Sequence, residues 1–193
     1  MTEQSDNALL DAFQAGDNEA FNAIIERYSS PVFRLAYKFT RNPKDAEDVS
    51  QDTFLKAYEN LIKHPKSELN LKPWLMTICV NLCRNLAKKK KSFNFSDMTT
   101  DEDEREFESM IEDSGPGTHE RIQSKEEAGI VREAIEKLPE KYQIILQMRY
   151  TEDLSYQEIS DILQLPMSTV KVHLNRAKSK LKVILEAQIY SKK

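Results

Sequence analysis

The chain has 193 residues, of which 39% are hydrophobic and 31% are charged, and its formal net charge is −4. A chain of this length holds one domain of ordinary size or two small ones. Its apolar runs fall short of the roughly 20 residues that span a bilayer, and its N-terminus is polar and acidic. We therefore expect a cytoplasmic protein that does not insert into a membrane.

Few glycines and few alternating β-branched runs favour an all-α fold. The first predicted helix covers Asn7 to Ala15 and stops at Gly16. A second helix begins near Asp17 or Asn18. The Ser29-Ser30-Pro31 step predicts a break and the start of a new helix, because proline suits a first helical turn.

An acidic helix is predicted after this segment. Asp45, Asp48 and Asp52 have the spacing i, i+3 and i+7, and Glu47 lies beside them. Such a cluster suits a metal site or an acid–base pair, but no histidine partner or second carboxylate helix matches it. A docking surface for a basic partner helix explains the exposed acids better. The expected apolar side of this helix consists of Ala46, Val49, Thr53, Phe54, Leu55, Ala57, Tyr58, Leu61 and Ile62.

A polar loop from Lys63 to Lys72 precedes a long predicted helix. Trp74 suits a core anchor, with base stacking as the alternative. Cys79 and Cys83 share a helix face where a disulfide is geometrically unfavourable and further metal ligands are missing, so we expect buried free thiols. The four lysines at 88–91 suit contact with a phosphate backbone whose unpaired bases enter the loop.

The centre of the chain is strongly acidic. Residues 97–113 include nine acids and one arginine, and Ser114-Gly115-Pro116-Gly117 follows. High charge, few large apolar residues and a Gly-Pro-Gly break predict a flexible linker at a domain boundary. An alternative role for this linker is to occupy a positively charged channel in a partner. We therefore expect domains at 1–95 and 123–193, joined by a linker at 96–122.

The C-terminal domain is predicted to be a bundle of about four helices that ends in a helix-turn-helix. Ser155 and Glu158 form a capping box at the start of a short helix, which the Leu165-Pro166 step interrupts. A longer helix follows. Residues 164–193 hold seven Lys or Arg and one acid, so the positive charge is local. Side chains suited to phosphates and base edges lie on the outward face, at Ser168, Lys171, Val172, Asn175, Arg176 and Ser179.

Three segments of the chain form an ordered set of motifs. They are Asp45-Ala46-Glu47-Asp48 with Gln51-Asp52 and Phe54; Trp74-Leu75 with Ile78 and Asn81; and Leu138-Pro139 with Ser155-Tyr156, Glu158-Ile159, Thr169-Val170-Lys171 and Arg176-Ala177. Together they resemble bacterial sigma factors, and most closely the extracytoplasmic-function (ECF) type, which has only the second and fourth conserved regions. The resemblance covers nearly the whole chain.

The resemblance implies two small helical domains joined by an acidic flexible linker. It implies a non-enzymatic factor, without a metal or cofactor, that directs core RNA polymerase to specific promoters and is regulated by an anti-sigma factor. The C-terminal domain would meet the β flap, and the linker would thread toward the RNA exit path. Docking on the β′ clamp helices would involve Asp45, Glu47, Asp48, Gln51, Asp52 and Phe54.

The resemblance also implies two DNA contacts. The loop and the helix after it would take up the melted non-template strand of the minus-ten element, with a flipped base in a loop pocket. The C-terminal helix would read the minus-thirty-five element. The implied DNA-binding residues are His64, Lys66, Asn70, Lys72, Trp74, Asn81, Arg84, Lys88, Lys89, Ser168, Thr169, Lys171, Val172, Asn175 and Arg176.

The sequence departs from the family pattern at several of these positions. Ser168 stands where glycine is usual, Val172 where Ser or Thr is frequent, and His173 where Arg is frequent. Asn85 replaces a common Asp, and Leu86 a frequent Arg. Val172 lacks a hydrogen-bonding group but can contact a thymine methyl. These departures bear on which promoter is read.

Two other functions fit parts of the pattern. A stand-alone helix-turn-helix regulator with an N-terminal sensor domain would bind duplex operators by itself, usually as a dimer. A metal-dependent nuclease would use Asp45, Glu47, Asp48 and Asp52. The stand-alone regulator leaves the lysine run at 88–91 unexplained, and the nuclease predicts that Mg²⁺ or Mn²⁺ confers cleavage.

Overall fold

In the computed structural model of this chain, residues 4–65, 69–90 and 125–190 are described, apart from the side chains at 125–128 and 189–190. Over these ranges the chain is helical and forms no β-strand, which confirms the all-α prediction. The helices are α1 (Asp6–Gln14), α2 (Asn18–Thr40), α3 (Pro43–Lys63), α4 (Leu71–Lys90), α5 (Lys125–Glu136), α6 (Glu140–Leu146), α7 (Tyr156–Leu163) and α8 (Met167–Tyr190). A π-helical turn, Gln147–Thr151, extends α6.

Side-chain caps set where the first three helices begin. Ser5, Asp17 and Asn42 have extended backbones and accept hydrogen bonds from amide groups in the first turns of α1, α2 and α3. Each cap satisfies donors that a helix start leaves unpaired, and such a cap contributes about 1 kcal/mol. The helices α1–α4 pack around one another and are called the N-terminal unit below.

The predicted break at Pro31 is wrong. Helix α2 runs without interruption through this proline. A proline inside a helix costs about 3 kcal/mol, whereas each large apolar side chain that becomes buried contributes about 1.5–3 kcal/mol. Ile24 and Tyr28 before the proline, and Val32 and Leu35 after it, are all buried. Packing of both halves therefore outweighs the local penalty.

The expected inward side of α3 is also wrong at two positions. Leu55 is 57% exposed and Ile62 is 56% exposed. They lie seven residues apart, so they occupy one face of the helix. Ala46, Val49, Thr53, Ala57 and Leu61 fill the buried stripe instead. The predicted apolar side of α3 was therefore wider than the face of α3 that the neighbouring helices cover.

Cys79 and Cys83 are free and buried on α4, as predicted. Cys79 Sγ lies 3.8 Å from the Val32 carbonyl oxygen. The adjacent Cys79 thiol and, after it, burial raise the pKa of Cys83 far above its ordinary value. Both residues therefore act as small core side chains.

The helices α5–α8 form the C-terminal unit, and its helix-turn-helix confirms the prediction. Both hydrogen bonds of the capping box are present: Ser155 N donates to Glu158 Oε2 at 2.7 Å, and Glu158 N donates to Ser155 Oγ at 3.2 Å. Gln164 ends α7 in the left-handed region, with φ 51°. Ser160 Oγ donates to the Leu165 carbonyl oxygen at 2.6 Å and so fixes the turn before α8.

The two units pack against each other, which no sequence pattern indicated. Helix α2 contacts α6, and α4 contacts α7. Buried apolar side chains from both units belong to one continuous cluster. The predicted linker at 96–122 lies outside the described residues. Within the described helices, none is both long and apolar enough to cross a bilayer.

Candidate nucleic-acid interface

The acidic side chains of α3 form an outward patch. Glu47, Asp48, Gln51 and Asp52 are exposed, and the opposite face of the helix is anchored in the core. Asp45 is different, because Lys90 Nζ lies 2.6 and 2.7 Å from its two carboxylate oxygens. Four of the six predicted docking residues therefore offer free polar surface, which we call the acidic patch.

Phe54 is the exception among the predicted docking residues. Its side chain is only 7% exposed and belongs to the hydrophobic core. A partner helix that lies on the surface of α3 would not reach a ring on the buried side. The prediction of direct contact is corrected to a positioning role, in which Phe54 holds α3 against the neighbouring helices.

The carboxylates of α3 do not converge. Among the described residues, no group of three or more His, Cys, Asp or Glu side chains is placed to hold a metal ion. Asp45 already forms an ion pair with Lys90.

The residues predicted to bind the minus-ten element lie along α4 and the loop before it. His64, Asn81, Lys88 and Lys89 are exposed, and Lys66 lies outside the described residues. Trp74 is half-buried and packs against the core, as expected of an anchor. Arg84 Nη1 donates to Asn81 Oδ1 at 3.4 Å. The N-terminal unit thus carries a polar face along one side of α4.

Three of these residues bond to the C-terminal unit. Asn70 Nδ2 donates to Glu158 Oε1 at 2.9 Å. Lys72 Nζ donates to the Glu152 carbonyl oxygen at 2.6 Å. Arg84 Nη2 donates to the Leu163 carbonyl oxygen at 2.6 Å, at the C-terminal end of α7 where a cation is favoured. Burial at this contact lowers the pKa of the Arg84 guanidinium from its ordinary value.

A buried carboxylate lies at the centre of this contact. The side chain of Glu152 is 1% exposed, and Oε1 accepts from Arg34 Nε at 3.2 Å and from Arg34 Nη2 at 2.9 Å. Lys72 Nζ lies 3.5 Å from Oε2. Arg34, Lys72 and Glu152 are called the interdomain cluster below. Sequence reasoning missed Arg34 and Glu152, because they are 118 positions apart and no local pattern links them.

A second polar contact joins α2 to α6. Lys38 Nζ and Arg41 Nη2 donate to Gln143 Oε1 at 3.3 and 2.8 Å. Burial, followed by the nearby Arg41 charge, lowers the pKa of Lys38. Arg41 also lies 3.4 Å from Glu140. The interface between the two units is therefore rich in charged hydrogen bonds.

Helix α8 presents the predicted minus-thirty-five reader. Ser168, Lys171 and Asn175 are exposed at spacing i, i+3 and i+7, so they share one outward face, the α8 face. Thr169 and Val172 are half-buried beside it. This is the geometry of a recognition helix, with hydrogen-bonding groups standing free on a rigid support.

Arg176 does not belong to the α8 face. It is only 7% exposed and lies one helical turn from His173, which is fully buried. The His173 ring packs edge-on against Tyr142, with centroids 5.9 Å apart. Helix α8 must seal the core with a stripe wide enough to include these positions, so the predicted base contact of Arg176 is corrected to a buried, structural one.

Comparison with known proteins places the chain in one family. The family model described as Sigma-70 region 2 matches residues 24–93, and the model described as Sigma-70, region 4 matches residues 128–181. The chain is 31% identical over 170 residues to the ECF RNA polymerase sigma factor SigW of Bacillus subtilis, covering 86% of this chain and 89% of that protein. It is 32% identical over 182 residues to the ECF RNA polymerase sigma-E factor of Haemophilus influenzae, covering 92% and 94% respectively.

The fold has a counterpart among solved structures. The sigma factor RpoE in its co-crystal with the anti-sigma factor NepR from Bartonella quintana matches with a TM-score of 0.59 at 19% identity. The match covers 86% of this chain and 96% of that one. At this identity the likeness concerns the fold alone. From the relatives that it matches along most of their length, the chain belongs to the ECF family of RNA polymerase sigma factors.

Proposed function

We propose that this chain is a cytoplasmic transcription initiation factor that directs core RNA polymerase to specific promoters and has no catalytic activity of its own. The observation that carries the proposal is the pairing of two separate surfaces on a chain of this family. The acidic patch of α3 offers carboxylates to a basic partner, and the α8 face offers hydrogen-bonding groups to DNA. A factor that links polymerase to promoter needs both.

The acidic patch is the proposed docking surface for the β′ clamp helices of polymerase. Glu47, Asp48, Gln51 and Asp52 stand exposed on a helix whose other side is fixed in the core. Charge complementarity across such an interface speeds association and penalises wrong partners. Asp45 would contribute only if its ion pair with Lys90 opened. The C-terminal unit would meet the β flap through a surface other than the α8 face.

The α4 face is the proposed minus-ten contact. Exposed Asn81, Lys88 and Lys89 suit phosphates and unpaired bases, while half-buried Trp74 fixes the start of the helix. Single strands are held by such combinations of a basic groove and stacking side chains. His64 and Asn70 flank the loop in which a flipped base would sit.

The α8 face is the proposed minus-thirty-five contact, through Ser168, Lys171 and Asn175, with the Val172 side chain available to a thymine methyl. In this proposal, residues 1–95 bind the minus-ten element and the linker at 96–122 tethers the two domains. Residues 123–193 read duplex DNA. Each footprint is small and the net charge is −4, so we expect the free protein to bind DNA weakly. Polymerase would supply affinity by holding both units at fixed spacing.

An anti-sigma factor is the proposed regulator. The fold match is to a sigma factor solved together with such a protein. A binder that covered both units would block the acidic patch and the α8 face at once. A co-purified partner that suppresses transcription by this chain would support the assignment.

The experiment that tests the function is run-off transcription with purified core polymerase and a pool of randomised promoters. We expect transcripts to start from a restricted set of sequences only when this chain is added. Absence of selected transcripts, despite core binding, would contradict the proposal. A gel shift without polymerase distinguishes this function from that of a stand-alone regulator, because the regulator would bind its duplex operator tightly by itself.

A further inference from the structure

A cavity of about 680 Å³, called the interunit cavity below, lies between Arg34 and Lys38 of α2 and the helices of the C-terminal unit. Helices α5, α6 and α8 and the π-helical turn supply its other walls. Small-molecule sites in proteins have volumes of about 300–1,000 Å³, whereas two turns of an α-helix, about 10 Å wide and 11 Å long, need more space than this cavity offers. The interunit cavity therefore suits a small molecule.

Aliphatic side chains form one part of the lining. They are Val131 and Ile135 of α5, Leu146 of α6 and Leu181 of α8. Val131, Ile135 and Leu181 are only half-buried, so each keeps apolar surface that a ligand could cover. Removal of such surface from water favours binding. The cavity thus offers a place for a hydrocarbon group.

The charged side chains of the lining are mostly positive. Arg34 already has a carboxylate partner within the interdomain cluster. Three further cations line the cavity, namely Lys38, Arg132 and Lys178. Glu136 is the one carboxylate among the described lining residues. The interunit cavity therefore carries a surplus of positive charge, which favours an anion.

Lys38 would gain from an anion in this cavity. Its ammonium group donates to Gln143 Oε1 at 3.3 Å, which is a neutral acceptor. Burial lowers the pKa of Lys38, the neighbouring Arg41 charge lowers it further, and Glu136 acts in the opposite direction. A bound anion would stabilise the charged ammonium that burial disfavours.

The π-helical turn adds polar groups to the same cavity. Gln147, Tyr150 and Thr151, three of its five residues, belong to the lining. Gln147 is 8% exposed, and its Nε2 group is buried with no hydrogen-bond partner among the described residues. A buried donor without an acceptor destabilises a protein, and π-helical turns are frequent at functional sites. Gln147 is therefore a donor that an oxygen atom of a ligand could use.

We propose that the interunit cavity binds a small amphiphilic anion, for which a medium-chain carboxylate is the simplest form. The hydrocarbon chain would lie against Val131, Ile135 and Leu181, and the carboxylate would be held by the lining cations and by Gln147 Nε2. This site goes beyond the proposed function, because its lining includes none of the residues proposed to bind polymerase or DNA.

The test is isothermal titration calorimetry of the full chain with decanoate, at concentrations where decanoate is monomeric. Acetate carries the carboxylate without the chain, and decylamine carries the chain with a positive charge. We expect one decanoate to bind per protein molecule, with a dissociation constant of about 0.1 mM or lower. Acetate and decylamine should show no saturable binding, because each matches only one part of the lining.

The charge requirement is tested by a double variant, Arg132→Gln with Lys178→Gln. These side chains are exposed and half-buried respectively, so circular dichroism should show unchanged helix content. Decanoate binding should weaken about tenfold or more, because the carboxylate loses charged donors. The matched control is Lys137→Gln with Lys182→Gln, which removes two exposed positive charges from outside the lining and should retain wild-type binding.

Two further variants test the position of the ligand. Gln147→Met removes the unpaired donor and keeps a side chain of similar size. The free energy of unfolding should stay the same or rise, while decanoate binding weakens about tenfold through loss of a hydrogen bond to a charged group. Val131→Trp fills the cavity from a half-buried position on α5 and should abolish binding at unchanged helix content.

Three results would overturn the inference. The first is the absence of decanoate binding by the wild-type chain. The second is equal binding of decanoate and decylamine, or unaltered decanoate binding in Arg132→Gln with Lys178→Gln, which would indicate nonspecific apolar association. The third is retained binding in a folded Val131→Trp variant, which would mean that the ligand lies elsewhere. None of these measurements contains polymerase or DNA, so their failure is distinguishable from failure of the proposed function.

Discussion

The two helical units present their predicted DNA-binding side chains in different ways. In the N-terminal unit, Asn70, Lys72 and Arg84 point into the other unit and are hydrogen-bonded there. In the C-terminal unit, Lys171 and Asn175 stand free on α8. Apart from Asn70, which precedes α4, both sets lie on amphipathic helices, and the two sets look alike in sequence. Periodicity therefore identifies an outward face, whereas packing against the neighbouring unit determines whether that face is accessible.

The two units also have buried core residues of their own. Leu75 and Met76 are fully buried in α4, as are Ile144 and Ile145 in α6. Each unit therefore holds large apolar side chains of its own, in addition to those near the shared interface. We therefore expect the core of each unit and its exposed surfaces to respond separately to substitution.

The largest expected effect tests the core of the N-terminal unit. Leu75→Ala removes a fully buried side chain and should lower the free energy of unfolding by about 2–5 kcal/mol. Urea denaturation followed by circular dichroism measures this. Leu55→Ala is the matched control, because its side chain is 57% exposed and its loss should change stability by no more than about 0.5 kcal/mol. Equal effects of the two changes would contradict the burial difference.

The next effect concerns the acidic patch. Asp48→Arg should weaken binding to core polymerase by about 3 kcal/mol, because it places a positive charge against a basic partner. The melting temperature should not change, since Asp48 is exposed. Asp11→Arg, an exposed substitution on α1, is the control for net charge. Undiminished capture of core polymerase by Asp48→Arg would count against the docking role.

A third prediction separates neighbouring residues of α8. Asn175→Ala should cost about 1–3 kcal/mol on the preferred promoter and leave the melting temperature unchanged. Arg176→Ala should lower the melting temperature and leave promoter selectivity unchanged, because Arg176 is 7% exposed. Selection from a randomised minus-thirty-five pool measures promoter selectivity, and a thermal scan measures the melting temperature. A change of selectivity in Arg176→Ala at unchanged stability would reverse the assignment.

The smallest effect concerns the capping box of the helix-turn-helix. Ser155→Ala should destabilise the protein by about 1 kcal/mol, because it leaves an amide at the start of α7 without its acceptor. Ser179→Ala, on the exposed side of α8, should be neutral or slightly stabilising, since alanine favours helix. Denaturant midpoints distinguish the two. A harmless Ser155→Ala would mean that tertiary packing alone sets the start of α7.

Local patterns predicted most of the fold and part of the site. The capping box at Ser155, the turn near Pro166 and the burial of Cys79 and Cys83 depend on nearby residues, so the sequence could indicate them. The exposure of Leu55 and Ile62 depends on how much of α3 its neighbours cover. The continuity of α2 through Pro31 depends on burial along both halves. Neither the covered area of α3 nor the burial along α2 can be predicted from the sequence of one helix.

Residue spacing was sufficient to predict the helical class, the order of the three motif segments and most of the outward positions of α3 and α8, because spacing along one helix fixes which residues share a side. Packing of the helices against one another buries Phe54 and Arg176 and brings Glu152 to Arg34 and Lys72 across the two units. Those outcomes depend on residues that are distant in the chain and meet only after folding. Local propensity and periodicity contain no information about such long-range contacts.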